Sequence, residues 1–312
     1  MLDIANVGED LPLDGLCALG ELTAYPTTAQ SEVAARIADC DVVILNKVKL
    51  SRELLAAAKD LKLICVTATG YDNIDLAAAR EYGIAVCNVP GYSTPSVVQL
   101  TLAMALSLAT NLPDFAAHVS SGEYSRGRSA NRLTPVFSEL CGKTWGIVGY
   151  GNIGRGVADV ARALGCRILA CRANPDFSDE CTDIDTLCQN ADIISIHTPL
   201  NEKTRGLISR ARIASMKQNA ILINVARGAV TDEAAIAEAI LAERLGGFGC
   251  DVYSTEPFGE AHPFHALLGH RRVCLTPHMA WGSYEARVRC LDTVTENIRV
   301  FLDGGLCNRV EL

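Results

Sequence analysis

Short apolar runs recur along the chain and alternate with stretches whose apolar positions repeat at helical spacing. The runs are Asp41 to Leu45, Leu63 to Val66, Ile84 to Cys87, Trp145 to Val148, Arg167 to Cys171, Asp192 to Ile196, Ala220 to Asn224, Gly247 to Asp251 and Val273 to Leu275. Strands alternating with helices predict an α/β fold built on parallel sheet. Val89 to Pro95 breaks the first unit and launches an apolar stretch from Val97 to Leu112. Gln99, Thr101, Ser107, Thr110 and Asn111 interrupt that stretch, which is short for a membrane span and reads as a buried helix. The polar, glycine- and proline-containing segment from Pro113 to Leu140 is expected to be a loop. After the last strand, Val288, Leu291, Val294, Ile298 and Phe301 mark a final helix from Ser283 to Leu302, expected to cross back and pack on the first unit.

One turn organises the pattern. Gly149-Tyr150-Gly151-Asn152-Ile153-Gly154 follows the apolar run at Trp145, and a helical pattern opens at once with Ile153, Val157, Val160, Ala161 and Leu164. The first glycine permits a tight turn, the second lets backbone approach a pyrophosphate, and the third lets the helix pack close to the strand. The helix N-terminus offers N–H groups and a positive dipole to phosphate. The context of strand, turn, helix and second strand predicts a dinucleotide site.

Composition narrows the partners. A length of 312 residues suggests two domains, and 49% hydrophobic with 21% charged residues is the make-up of a soluble globular chain. A net charge of -8 disfavours nucleic acid and anionic membrane, so an anionic substrate must meet a local positive cluster. The N-terminus lacks the features of a secretion signal, and the 13 cysteines are scattered without a CxxC pair. Reduced, buried thiols in a cytoplasmic protein are expected, with no metal site and no disulfides.

Ligands of parallel sheets bind at the carboxyl ends of the strands. Those ends carry Lys47, then Thr69-Gly70-Tyr71, then His197-Thr198-Pro199, Arg227, a segment reaching Glu256, and His278. Taken singly, each of Arg227, Glu256 and His278 is more often structural than catalytic, and their shared place at the strand ends of one sheet brings the two readings level. From spacing alone Lys47 reads as a solvated loop residue, and His262, His265 and His270 read as surface histidines.

In order and spacing, the motifs resemble the D-2-hydroxyacid dehydrogenases, and more narrowly the glycerate dehydrogenase or hydroxypyruvate reductase branch. The resemblance spans nearly the whole chain: Asn46-Lys47, Ala68 to Asp75, Asn88 to Thr94, Glu139 to Thr144, the glycine motif, Asn224 to Gly228, Asp251 to Pro257, and Thr276 to Trp281. Gly70-Tyr71 and Trp281 point to the glycerate branch. The resemblance implies two Rossmann-like doubly wound domains: a discontinuous substrate domain, 1–96 with 284–312, and a dinucleotide-binding domain, 97–283. It also implies a homodimer formed through Val97 to Leu140.

In such a site Arg227 would hold the substrate carboxylate and polarise its carbonyl, as a guanidinium fork can. His278 would be the general acid, and Glu256 its partner, which favours the charged imidazolium and keeps the proton available. Lys47, Thr69, Gly70, Tyr71 and Trp281 would line the substrate. Gly149, Gly151, Asn152, Ile153, Gly154, Arg172, His197, Thr198, Pro199, Thr204, Val225, Ala226, Asp251 and His278 would contact the cofactor, Asp251 through the nicotinamide carboxamide. Arg172 departs from the pattern. It stands where members that use NAD carry an acidic residue for the ribose 2′-hydroxyl, so NADP is expected over NAD. The alternative is that Arg172 stacks on adenine while Asp176 or Asp179 supplies the carboxylate. The activity implied is reduction of hydroxypyruvate or glyoxylate. Alternatives are another 2-keto acid, a 3-phosphoglycerate dehydrogenase lacking a regulatory domain, or a nucleotide-sensing corepressor-type protein.

Overall fold

The computed structural model describes residues 1–173 and 180–312. It divides into two compact units, Met1–Ser93 with Trp281–Leu312, and Thr94–Ala280. The chain changes unit a few residues before each boundary that the motifs suggest, because Thr94 already opens a helix and Trp281 packs with the first unit.

In the first unit, strands β1 (Val42–Leu45), β2 (Leu63–Val66) and β3 (Ala85–Cys87) pair in parallel in the order β1-β2-β3. Every residue of β2 and β3 is buried, which is why their sequences show no polar alternation. One face is covered by the final helix, Tyr284–Leu302, through Ala286, Cys290, Leu291, Val294 and Ile298. Ser283 caps it by accepting from the Ala286 amide.

The second unit holds β4 (Thr144–Val148), β5 (Arg167–Cys171), β6 (Ile193–Ile196), β7 (Ile221–Asn224), β8 (Gly247–Cys250) and β9 (Val273–Leu275), all parallel. Their order, β5-β4-β6-β7-β8-β9, reverses direction at β4, so the turn after β4 opens at the topological switch point. The helix Thr94–Thr110 is apolar because it packs on β7, β8 and the helix Asn152–Ala163. Among the described residues no single helix is long and apolar enough to cross a membrane.

The segment expected to be a loop from Pro113 holds two further helices, Leu112–Ser120 and Glu123–Arg126. Asn111 breaks the preceding helix with a left-handed φ of 50°, and Pro113 sits in the first turn of the new one. There the missing N–H costs nothing, so the proline starts a helix where a loop was expected. The 13 cysteines are free thiols.

Phe248 on β8 is fully buried against Phe264, ring centroids 5.0 Å apart. Phe248→Ala is expected to lower the unfolding free energy by about 3 to 5 kcal/mol. Urea denaturation checks this, and a change near zero would show that the surrounding residues close the cavity.

Candidate functional site

The turn after β4 shows a different constraint at each glycine. Gly149 has φ +96°, and a Cβ there would lie 2.7 Å from the backbone of His197 and Thr198. A Cβ on Gly154 would lie 2.2 Å from the Gly149 carbonyl oxygen, whereas one on Gly151 would meet nothing within 4 Å. The first and third glycines therefore permit close packing, and the second leaves backbone open to a ligand. The helix Asn152–Ala163 begins at this point, and no side chain caps its N-terminus.

His197 follows β6 and is held beside this turn, its amide donating to the Val148 carbonyl at 2.7 Å. Beneath it, Trp145 Nε1–H donates to Ser195 Oγ at 2.9 Å, and Ser195 Oγ lies 2.9 Å from His197 Nε2. Burial pushes the His197 pKa down to about 3, so the ring is neutral. Its Nδ1 is buried without a partner among the described residues. Thr204 Oγ donates to the Pro199 carbonyl at 2.6 Å and accepts from the Asn201 amide, closing the loop beyond. Arg172 follows β5, half-buried; Asp176 and Asp179 lie outside the described residues.

Beyond the ends of β7, β8 and β9 stand Arg227, Glu256 and His278, and the structure brings the last two into contact. Asn224 staples the turn after β7: its Oδ1 accepts from the Ala226 amide and its Nδ2 donates to the Arg227 carbonyl, both at 3.0 Å. Val225 and Ala226 are buried, and the Arg227 residue is exposed. Beyond β8, Glu256 Oε1 accepts from the Tyr253 amide at 2.9 Å, and its Oε2 lies 2.6 Å from His278 Nδ1. That contact engages Nδ1 and leaves Nε2 for proton exchange.

His278 has a left-handed φ of 53°, a conformation that only strong neighbours hold for such a residue. Those neighbours are bound to Asp251. Its carboxylate accepts from Thr276 Oγ at 2.5 Å and from the amides of Met279 and Ala280, both at 2.9 Å. Burial raises the Asp251 pKa, and hydrogen bonds from Thr276, Ala280 and Met279 pull the other way. Sequence reasoning gave Asp251 a cofactor role and missed this clamp, which joins residues 25 to 29 positions apart.

Sequence reasoning also placed His262 on the surface. The structure buries it: its side chain is 7% exposed, ringed by Tyr253, Phe258 and Phe264, with Nε2 3.0 Å from Glu233 Oε2. No local spacing announces this, since Glu233 reads as an ordinary first-turn acid of the helix Glu233–Leu241.

In the first unit, Lys47 and its neighbour are placed by Asp3, a buried carboxylate that accepts from the Asn46 amide at 2.8 Å and the Lys47 amide at 2.7 Å. The Thr69 to Tyr71 turn is held by Asn88 Nδ2, which donates to the Thr69 carbonyl at 2.8 Å, and by Thr69 Oγ, which donates to the Val89 carbonyl. Trp281 meets Tyr92 edge to face, centroids 6.4 Å apart.

Residues 102–280 match the family model described as D-isomer specific 2-hydroxyacid dehydrogenase, NAD binding domain. The chain belongs to that family. It is 35% identical over 309 residues to a hydroxypyruvate reductase of Blautia hydrogenotrophica, covering 96% of this chain and 95% of the relative. The fold is similar to that of an acyclic imino acid reductase in complex with NADPH and D-Arg, at TM-score 0.84 and 27% identity over 97% of each chain. It is equally similar to a D-lactate dehydrogenase from Aquifex aeolicus complexed with NAD and lactic acid, at TM-score 0.84 and 28% identity over 96% of this chain and 95% of that one. The chain is therefore an oxidoreductase of D-2-hydroxy acids with a nicotinamide dinucleotide-binding domain, and both sheets have the family's parallel architecture.

The dinucleotide fits this site on two observations, the open backbone at Gly151 and the orphaned Nδ1 of His197. Among the described residues, no group of three or more His, Cys, Asp or Glu is placed to hold a metal ion.

Because burial depresses the His197 pKa from 6.5 to about 3, the unfolded chain takes up a proton there that the folded chain refuses. The stability this gives is full above pH 6.5 and is lost as pH falls toward 3. His197→Gln should therefore flatten the fall in urea midpoint over that window. An unchanged profile would show that His197 does not titrate on unfolding.

Proposed function

We propose that the chain reduces small 2-keto acids to D-2-hydroxy acids, with hydroxypyruvate or glyoxylate as substrate. The observation that carries this reading is the 2.6 Å contact between Glu256 and His278, in the same unit as the Arg227 turn. When bound, the nicotinamide cofactor donates the hydride. Arg227 orients the substrate carboxylate and carbonyl through its planar donors. His278 supplies the proton to the alkoxide from Nε2, and Glu256 holds the ring through Nδ1 and stabilises its charge. Lys47, Thr69, Gly70, Tyr71 and Trp281 keep the substrate-binding roles that the resemblance implies. The name of the 35%-identical relative supports hydroxypyruvate, as do Gly70-Tyr71 and Trp281. A corepressor-type role is disfavoured because Arg227, Glu256 and His278 are all present.

The cofactor residues are those of the β4 turn, with His197, Thr198, Pro199, Thr204, Val225, Ala226 and Asp251. Three donors already engage Asp251, and a carboxylate oxygen can accept a further hydrogen bond, so a carboxamide contact is compatible with the clamp. NADP is preferred, because a guanidinium at Arg172 suits a 2′-phosphate and cannot accept from a 2′-hydroxyl. The enzyme works in the cytoplasm as a homodimer. Leu112, Val119, Leu133, Val136 and Phe137 are 50% to 85% exposed on neighbouring segments, apolar surface that a second copy would cover.

With hydroxypyruvate, followed at the nicotinamide absorbance, His278→Asn is expected to lower turnover by roughly two to four orders of magnitude while cofactor affinity holds. Near-normal turnover would remove His278 from the reaction, and better efficiency of the wild type on pyruvate would reassign the substrate.

The wild type is expected to use NADPH more efficiently than NADH, and Arg172→Asp to reverse that order by roughly ten- to a hundredfold in relative efficiency. Steady-state kinetics with both cofactors decides this. An NADH preference in the wild type, or none of the expected change on substitution, would overturn the role of Arg172.

A further inference from the structure

The loop that carries Glu256 is also gripped by a carboxylate to which no role has been given. Glu233, 9% exposed at the start of its helix, accepts from the Ser254 amide at 2.8 Å through Oε1 and from Ser254 Oγ at 2.5 Å through Oε2. The Phe264 amide donates to His262 Nδ1 at 3.2 Å, which puts the proton of a neutral ring on Nε2, the nitrogen 3.0 Å from Glu233 Oε2. The two atoms form a close polar contact and not a hydrogen bond. A carboxylate this enclosed is costly unless its donors stay in place, and two of its three neighbours are groups of one residue, Ser254.

Ser254 is next to Tyr253, and Tyr253 reaches the reacting groups twice. Its amide donates to Glu256 Oε1, and its hydroxyl donates to the Thr276 carbonyl at 2.8 Å, two residues before His278. The same backbone also supports the turn after β7, since a Cβ on Gly228 would lie 2.1 Å from the Tyr253 carbonyl carbon and 2.2 Å from the Ser254 nitrogen. Residues 253 and 254 thus touch the supports of Arg227, Glu256 and His278 alike.

We propose that Glu233, backed by His262, is a positioning residue for the reaction: by fixing Ser254 it sets where Glu256 meets His278. This rests on the functional reading above for its kinetic arm only. It fits the burial of Glu233 and His262 in a family whose chemistry needs neither to touch the substrate.

The test is a double-mutant cycle between Glu233→Ala and Glu256→Gln in the full-length protein, read as kcat with hydroxypyruvate and as cofactor dissociation constant. Glu233→Ala should lower kcat by roughly ten- to a hundredfold, the effect of a small misplacement, with cofactor affinity within about twofold. Glu233→Gln, which keeps an acceptor for the Ser254 amide, should recover much of the loss. In the Glu256→Gln background Glu233→Ala should have little further effect, because its route is already cut. Multiplying effects, or wild-type kcat in Glu233→Ala, would overturn the proposal. If Glu233→Ala does not fold, Ser254→Ala takes its place, and a loss that persists undiminished in the Glu256→Gln background, or no loss at all, overturns it. Amide exchange separates this from the substrate assignment. Protection at Tyr253 and Ser254 should fall in the Glu233 or Ser254 variant whatever the substrate, and unchanged protection would refute the positioning role even in an active enzyme.

Discussion

The buried carboxylate of Asp251 is the constraint on which the arrangement at the ends of β8 and β9 depends. A charge with no exposure has to be met by donors, and among the described residues the three that meet it come from the five residues Thr276 to Ala280. The turn after β9 therefore closes on the end of β8. His278, held in the middle of that turn, takes a left-handed backbone that a histidine seldom adopts unaided. Opening the turn would strand the charge, so the strain at His278 is held by a larger penalty elsewhere. The same logic recurs in the first unit, where buried Asp3 fixes the backbone of Asn46 and Lys47.

The two carboxylates that flank the β8 loop differ in what they restrain. Asp251 fixes the histidine side, and Glu233 fixes the side carrying Glu256. Between them the Glu256–His278 contact is set by parts of the chain that sequence distance would never pair. Rigid strands supply the coarse placement, and buried ionic contacts supply the last fraction of an ångström.

Much of this was legible in the sequence, for physical reasons. Strands buried on both faces, such as Leu63–Val66 and Ala85–Cys87, are continuously apolar, and parallel order follows from the helices between them. The glycine turn was readable because its glycines act locally: Gly149 and Gly154 meet steric needs, and Gly151 leaves backbone open. What hid was nonlocal or ambiguous. Pro113 has one chemistry but two meanings, and only the chain direction at Asn111 shows that it starts a helix. His262 looks like any loop histidine until the fold brings Glu233 and three aromatic rings around it. For Arg227, Glu256 and His278 the residues alone left both readings open, and the catalytic reading came from the ordered motifs around them.

The strand order has a consequence for how such a protein can change. Arg172 follows β5 at one edge of the six-stranded sheet, and His278 follows β9 at the other. Five strand spacings separate them, about 24 Å at the usual separation of paired strands. The buried contacts that hold His278 belong to the β8 and β9 edge, so a lineage can exchange the residue after β5 without disturbing them. The residue after β5 and the turn after β9 are structurally separate, open to change one at a time.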